Sequence, residues 1–157
     1  MKSSGAFLAA VLFTVMVGGT TSAQTPDRVF RVDGKDEEMN AAMARARATI
    51  EPVLQKLEEG SVDTFSVKVQ VKDGEQVEYF WLNNIDFQDG IFTGTIDNDP
   101  EVVHNVKLGQ KVTVKKGEIA DWLYTKNGKM YGNYTLRVLL KKMPPEEVAK
   151  YRKILAD

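Results

Sequence analysis

The chain has 157 residues, no cysteine, one histidine and a net charge of −1. These counts exclude a disulfide framework and the usual zinc centres, which need several Cys or His ligands. Near-neutral charge also argues against nucleic acid, which calls for a strongly basic face.

The first residues predict a secretory signal peptide. Lys2 supplies a charged start, Ala6 to Val17 is apolar except for Thr14, and Gly18-Gly19 breaks the run. Small residues then lead to Ala23, and cleavage is expected after it, making residues 1–23 the signal. The apolar run is too short for a membrane anchor, which takes about 20 residues. Without Cys, no lipid-anchored start is possible. Removing 23 of the 157 residues leaves 134, the size of one domain. Removing Lys2 from the 21 basic residues leaves 20 against 22 acidic, a net charge of −2. A cysteine-free exported domain fits a bacterial periplasm, so the expected location is periplasmic or secreted, with no membrane span after cleavage. In that setting the Asn133-Tyr134-Thr135 glycosylation pattern is accidental.

Residues 24–35 read as a polar tether with a possible edge strand at Val29–Val32, turned by Asp33-Gly34. The domain proper spans 36–157. Asp36 can cap a helix starting near Glu37. Met39, Met43, Ala46, Ile50, Val53, Leu54 and Leu57 form its apolar face, and Pro52 kinks it or opens a second short helix ending near Gly60. Phe65, Val67, Val69 and Val71 alternate with Ser66, Lys68, Gln70 and Lys72, predicting a strand with one wet face. Asp73-Gly74 leads to a strand over Gln76–Leu82, and Asp89-Gly90 to one over Ile91–Ile96. A further strand is expected within Lys107–Val114 and a short helical turn at Glu118–Trp122. Asn127-Gly128 predicts a hairpin between Leu123–Lys126 and Lys129–Tyr131. Leu136, Leu139, Leu140 and Met143 have helical spacing. Pro144-Pro145 starts a last helix with Val148, Tyr151, Ile154 and Leu155 inward.

Sets for known chemistry are missing. His104 is the one histidine, and neither Ser61 nor Ser66 sits in a nucleophile-elbow motif. Asp97, Asp99 and Glu101 fail the EF-hand pattern, because Val102 stands where Gly is required and no acid occupies the twelfth position. No metal, cofactor or catalytic residue is assigned. The candidate ligand- or partner-binding residues are Asp121, Trp122, Tyr124, Thr135, Arg137 and Trp81. The hairpin should bring Tyr124 near Tyr131 and Trp122 toward Tyr134. Arg137 would then grip a carboxylate bidentately while aromatics pack on the rest of the ligand. The structural alternative is that Asp121 braces a turn and pairs with Arg137, with Trp122 as core. Trp81, between Phe80 and Leu82, reads more readily as core. Lys111, Lys115 and Lys116 read as a solvated edge.

These stretches resemble the bacterial YegJ-like family, domain of unknown function 2314. The resemblance rests on Glu38-Met39-Asn40-Ala41-Ala42 through Ala46-Arg47-Ala48-Thr49, Phe65-Ser66-Val67-Lys68, Glu78 with Trp81, Gly94, Asn98 with Pro100, and Gly109 through Val112. Its most specific parts are Ile119-Ala120-Asp121-Trp122-Leu123-Tyr124 and Gly132-Asn133-Tyr134-Thr135-Leu136-Arg137. It covers roughly residues 36–140. Relatives often carry a His two residues before the tryptophan, where this chain has Tyr79. The resemblance implies a fold-sized domain of unassigned activity, found alone or fused to repeats, which suits a binding or accessory module.

The expectation is therefore one α+β domain. Its N-terminal helix would pack on a bent antiparallel sheet, with a barrel-like curl as the variant, and C-terminal helices would close it. Its expected role is a non-catalytic exported module binding a protein, peptide or cell-envelope ligand. The alternatives are a hydrolase using carboxylates such as Asp121 and Glu78, or an immunity-type protein binding a toxin.

Overall fold

This computed structural model describes residues 36–156, together with the backbone of two short strands, β1 (Ala6–Ala10) and β2 (Val29–Asp33). The expected signal peptide and tether otherwise lie outside the described residues. β2 is an edge strand that pairs antiparallel with β1. β1 in turn lies parallel to β4, a strand spanning Gln76–Gln88.

Helix α1 runs Glu37–Ala48. Asp36 holds its start, accepting the Met39 N–H at 3.0 Å, and satisfies one of the unpaired amides of a first helical turn. Glu37 and Glu38 lie at its positive end, Arg45 and Arg47 at its negative end. α2 (Glu51–Glu58) is a separate helix with Pro52 in its first turn, where a missing N–H costs nothing.

Six antiparallel strands follow: β3 (Thr64–Asp73), β4, β5 (Ile91–Ile96), β6 (Lys111–Lys115), β7 (Asp121–Lys126) and β8 (Lys129–Gly132). Their spatial order is β6-β5-β4-β3-β7-β8, and the sheet is not closed into a barrel. Asn127 and Gly128 take φ values of 52° and 73°, the two left-handed residues that a twisted two-residue hairpin needs. The chain closes with α3 (Tyr134–Leu139) and α4 (Pro145–Ile154).

Four expectations are corrected. β4 continues to Gln88, passing an irregularity at 83–86 where Asn84 is left-handed. β6 starts at Lys111, because Lys107–Gln110 is a turn closed by Gln110 N–H to Lys107 O. The turn expected at Glu118–Trp122 is a short 3-10 turn at Lys116–Glu118. Asp121 and Trp122 already belong to β7, in register with Lys68 and Val67. Finally, β3 has no wet face over residues 65–69, all of which are buried. Helices cover both sides of the sheet there.

On one side Ala46, Ile50, Val53 and Leu54 pack on Phe65, Val67, Val69, Phe80 and Leu82. On the other, Trp81, Leu123, Met130 and Leu136 meet Tyr151, Ile154 and Leu155. The end of the chain is stitched down: Ala156 N–H donates to Met130 O at 2.8 Å, and Arg137 Nη2 donates to Ala156 O at 2.7 Å. Among the described residues, no helix is long and apolar enough to cross a membrane.

Candidate functional site

The β7–β8 hairpin sets the local geometry. Side chains two apart on a strand share a face, so Trp122 and Tyr124 point the same way. Register puts Tyr131 directly opposite Tyr124. The rings form a ladder, with Tyr124 and Tyr131 stacked at 4.6 Å and Trp122 parallel to Tyr124 at 6.0 Å. Tyr134 meets Trp122 edge-on at 5.6 Å. Trp122 is core on this side, and its indole N–H donates to Ala46 O at 2.9 Å. Gly132 and Asn133 are both left-handed, with φ values of 76° and 51°. This pair swings the chain from β8 into α3 and lays Gly132 against the Trp122 ring. An added Cβ there would lie 2.4 Å from that ring.

Behind the ladder, on the opposite face of the sheet, lies a buried polar relay. Lys68 Nζ donates to Thr135 Oγ1 at 2.8 Å, and that hydroxyl donates to Asp121 Oδ2 at 2.6 Å. Asp121 also accepts the amides of Trp122, Tyr134 and Thr135 at 2.9, 3.2 and 2.7 Å. The carboxylate thus caps α3 from a neighbouring strand. Lys68 lies over the Trp81 ring at 4.6 Å, a cation–π contact. Burial pushes the Lys68 ammonium down to about 8, opposed by the charge of Asp121. Burial likewise raises the Asp121 carboxyl, opposed by Lys68 and by the hydrogen bonds from Thr135 and Trp122. An unfolded chain keeps the Lys68 proton up to its ordinary 10.5, whereas the folded chain releases it near 8. Between these values the unfolded state binds more protons, so Lys68 makes stability rise with pH. Urea titrations from pH 7.5 to 10.5 should show this rise in the natural chain relative to Lys68→Met; parallel curves would contradict it.

Beside the ladder is a cleft of about 300 Å³ between the two N-terminal helices and the hairpin. Arg45, Thr49, Pro52, Val53 and Lys56 form one wall; Trp122, Tyr124, Tyr131, Gly132, Tyr134 and Arg137 form the other. The lining carries three cations and no acid. None of the three makes an ion pair with a described carboxylate. Arg45 lies over the Tyr134 ring at 4.9 Å. Arg137 spends its Nε–H on Gly132 O and one Nη2–H on Ala156 O, which leaves its outer edge to the cleft.

The six sequence-predicted residues therefore divide. Trp122, Tyr124 and Arg137 line the cleft. Asp121 and Thr135 belong to the buried relay behind it. Trp81 is 4% exposed and lies in the core on the relay side. The alternative pairing of Asp121 with Arg137 is corrected: Asp121 is served by Lys68 through Thr135. Glu78 is fully buried and accepts the amides of Glu101, Val102 and Val103, so it anchors that loop. Sequence reasoning missed Lys68, Arg45 and Lys56 as members of either arrangement; it placed Tyr131 and Tyr134 beside Tyr124 and Trp122 without naming them as binding residues. The available signals were Arg45, Thr49 and Lys56, at helical spacing on two consecutive helices, and Lys68 between buried valines.

Comparison with known proteins is decisive about kinship. Residues 36–156 match the family described as an uncharacterized protein conserved in bacteria (DUF2314). The chain belongs to this family. It is 39% identical over 114 residues to the uncharacterized protein YegJ of Escherichia coli (strain K12), covering 73% of this chain and 74% of that protein. It is 33% identical over 130 residues to a putative ankyrin repeat protein, NMB1133/NMB1171, of Neisseria meningitidis serogroup B (strain ATCC BAA-335 / MC58). That match covers 76% of this chain and 51% of the relative. No solved structure matches. The family boundary at residue 36 coincides with the Asp36 cap. The family therefore shares the domain that carries both the cleft and the relay.

Proposed function

We propose that the chain is an exported, non-catalytic binding module of the bacterial cell envelope, and that its cleft takes an anionic ligand. The observation that carries the reading is a cleft with aromatic walls and three cations that have no carboxylate partner among the described residues. Charges of one sign around a cleft focus a positive field there and favour an entering anion. Export rests on the apolar run and the small residues ending at Ala23. A carboxylate-based hydrolase draws no support from the geometry. Asp121 and Glu78 have separate partners, and neither lines the cleft.

The test begins with the full chain expressed in a bacterium. The form recovered from the periplasm should start at Gln24 by mass spectrometry; a cytoplasmic product keeping residues 1–23 refutes export. Titrating the recovered protein with glucuronate should shift the Trp122 indole signal and the Gly132–Tyr134 amides. Neutral glucose should not. Lys56 is exposed, and its ammonium has no described partner; Lys56→Glu should weaken glucuronate binding about tenfold without changing stability. Equal responses to both sugars, or an unaffected variant, would overturn the anionic reading.

A further inference from the structure

Resting on that reading of the cleft, we infer that its ligand is a small phosphomonoester of about monosaccharide size, bound through its doubly charged phosphate. Three features of the wall point this way.

The first is charge. Arg45, Lys56 and Arg137 contribute three positive charges, and no Asp, Glu or His lines the cavity. A carboxylate would offset one of them. A phosphomonoester brings a charge of about −1.5 to −2 and three strong acceptor oxygens. The outer edge of Arg137 and the ammonium of Lys56 suit such oxygens as charge-assisted donors.

The second is the condition of the aromatic groups. Their ring faces are already spent on one another: Tyr131 on Tyr124, Tyr124 beside Trp122, Trp122 against Gly132 and Tyr134. Little ring face remains to stack on a flat ligand. What the residues offer instead is hydroxyls. Tyr124 and Tyr131 stand side by side with near-parallel rings, and the Tyr134 hydroxyl is 3.2 Å from that of Thr49. The Thr49 hydroxyl proton is already held within the protein, so the donors of this wall are phenol O–H groups among cations, which an oxyanion satisfies and an apolar plane does not.

The third is size. About 300 Å³ is the lower end of the range for small-molecule sites. That exceeds what a bare phosphate ion fills, and it is too little for a long chain.

The experiment compares glucose 6-phosphate, glucuronate and inorganic phosphate by the same resonance shifts on the protein recovered from the periplasm. Glucose 6-phosphate should bind at least tenfold tighter than glucuronate at pH 7. Its second phosphate ionisation lies near 6, so the affinity ratio of the two sugars should fall about tenfold on going to pH 5. Asp121 and Lys68 lie behind Trp122 and Tyr134, but any titration of theirs affects both sugars and cancels in the ratio. Lys56→Glu should lose most of the phosphate advantage while keeping the natural unfolding midpoint. Glucuronate binding as tightly as the ester, with a pH-independent ratio, would overturn the phosphomonoester and leave an anion site. Inorganic phosphate binding as tightly as the ester would overturn the sugar-sized ligand. No shift with any of the three would overturn this inference and the anionic cleft together.

Discussion

Replacing Asp121 with asparagine is expected to destabilise the domain by about 3–5 kcal/mol, the usual result of leaving a buried charge without its counter-charge. The substitution keeps the side chain's shape and one acceptor, so amides of α3 can still be capped. What it removes is the negative charge that supports Lys68 across the Thr135 hydroxyl. Lys68 is fully enclosed, and it would keep two uncharged contacts, the Thr135 hydroxyl and the face of Trp81. It would have to fold neutral or stay charged without a counter-charge. A domain of this size holds roughly 5–15 kcal/mol in total, so the loss takes a large share. The test is a double-mutant cycle by urea unfolding at pH 7. Lys68→Met in the Asp121→Asn background should recover stability rather than add a second loss, because two neutral groups there need no compensation. Simple additivity would show that the two charges do not support each other.

The second large effect is expected at Gly132. Its φ of 76° strains any residue with a Cβ, by about 1–2 kcal/mol. An added Cβ would also stand 2.4 Å from the Trp122 carbonyl oxygen and from its ring. Backbone on one side and a locked indole on the other leave nothing flexible to yield, and overpacking of this kind costs about 1–3 kcal/mol more. Gly132→Ala should therefore lose about 2–5 kcal/mol by urea unfolding. Its Trp122 fluorescence should change, because the ring must shift. Gly128→Ala is the comparison: its φ is 73°, but nothing lies within 4 Å of the added carbon, so the backbone cost alone should appear. Equal losses at the two sites would mean that Trp122 does not press on Gly132.

Local patterns made much of this fold legible. The Asp36 cap, the break at Pro52, the alternation from Phe65 and the Asn127-Gly128 turn each have a short-range cause. So does the meeting of Tyr124 with Tyr131, which follows once a two-residue turn fixes the register. Lys68 was misread for a reason of longer range. Alternation says which residues share a face, not whether that face is wet. Only the docking of α3 and α4 from the far end of the chain buries the second face of β3. The same limit hid the counter-charge of Asp121. Pairing it with Arg137 was natural from proximity in sequence, yet α3 turns Thr135 toward Asp121 and points Arg137 the other way, at the cleft. Nothing local marks Arg45 and Lys56 as lining a site, because the hairpin that makes them one wall of a cavity lies some seventy residues further on.

The stitched end of the chain has a practical side. Met130 accepts from Ala156, and Leu155 forms a parallel bridge with Met130, so the last residues cover the outer edge of β8. An uncovered sheet edge invites pairing with other chains. Ala156 also holds Arg137, which faces the cleft. Trimming by a carboxypeptidase, or pull from a fused tag, would therefore do two things at once: bare a strand edge to self-association and loosen one of the three cations. Tags for ligand studies belong at the other terminus of the domain.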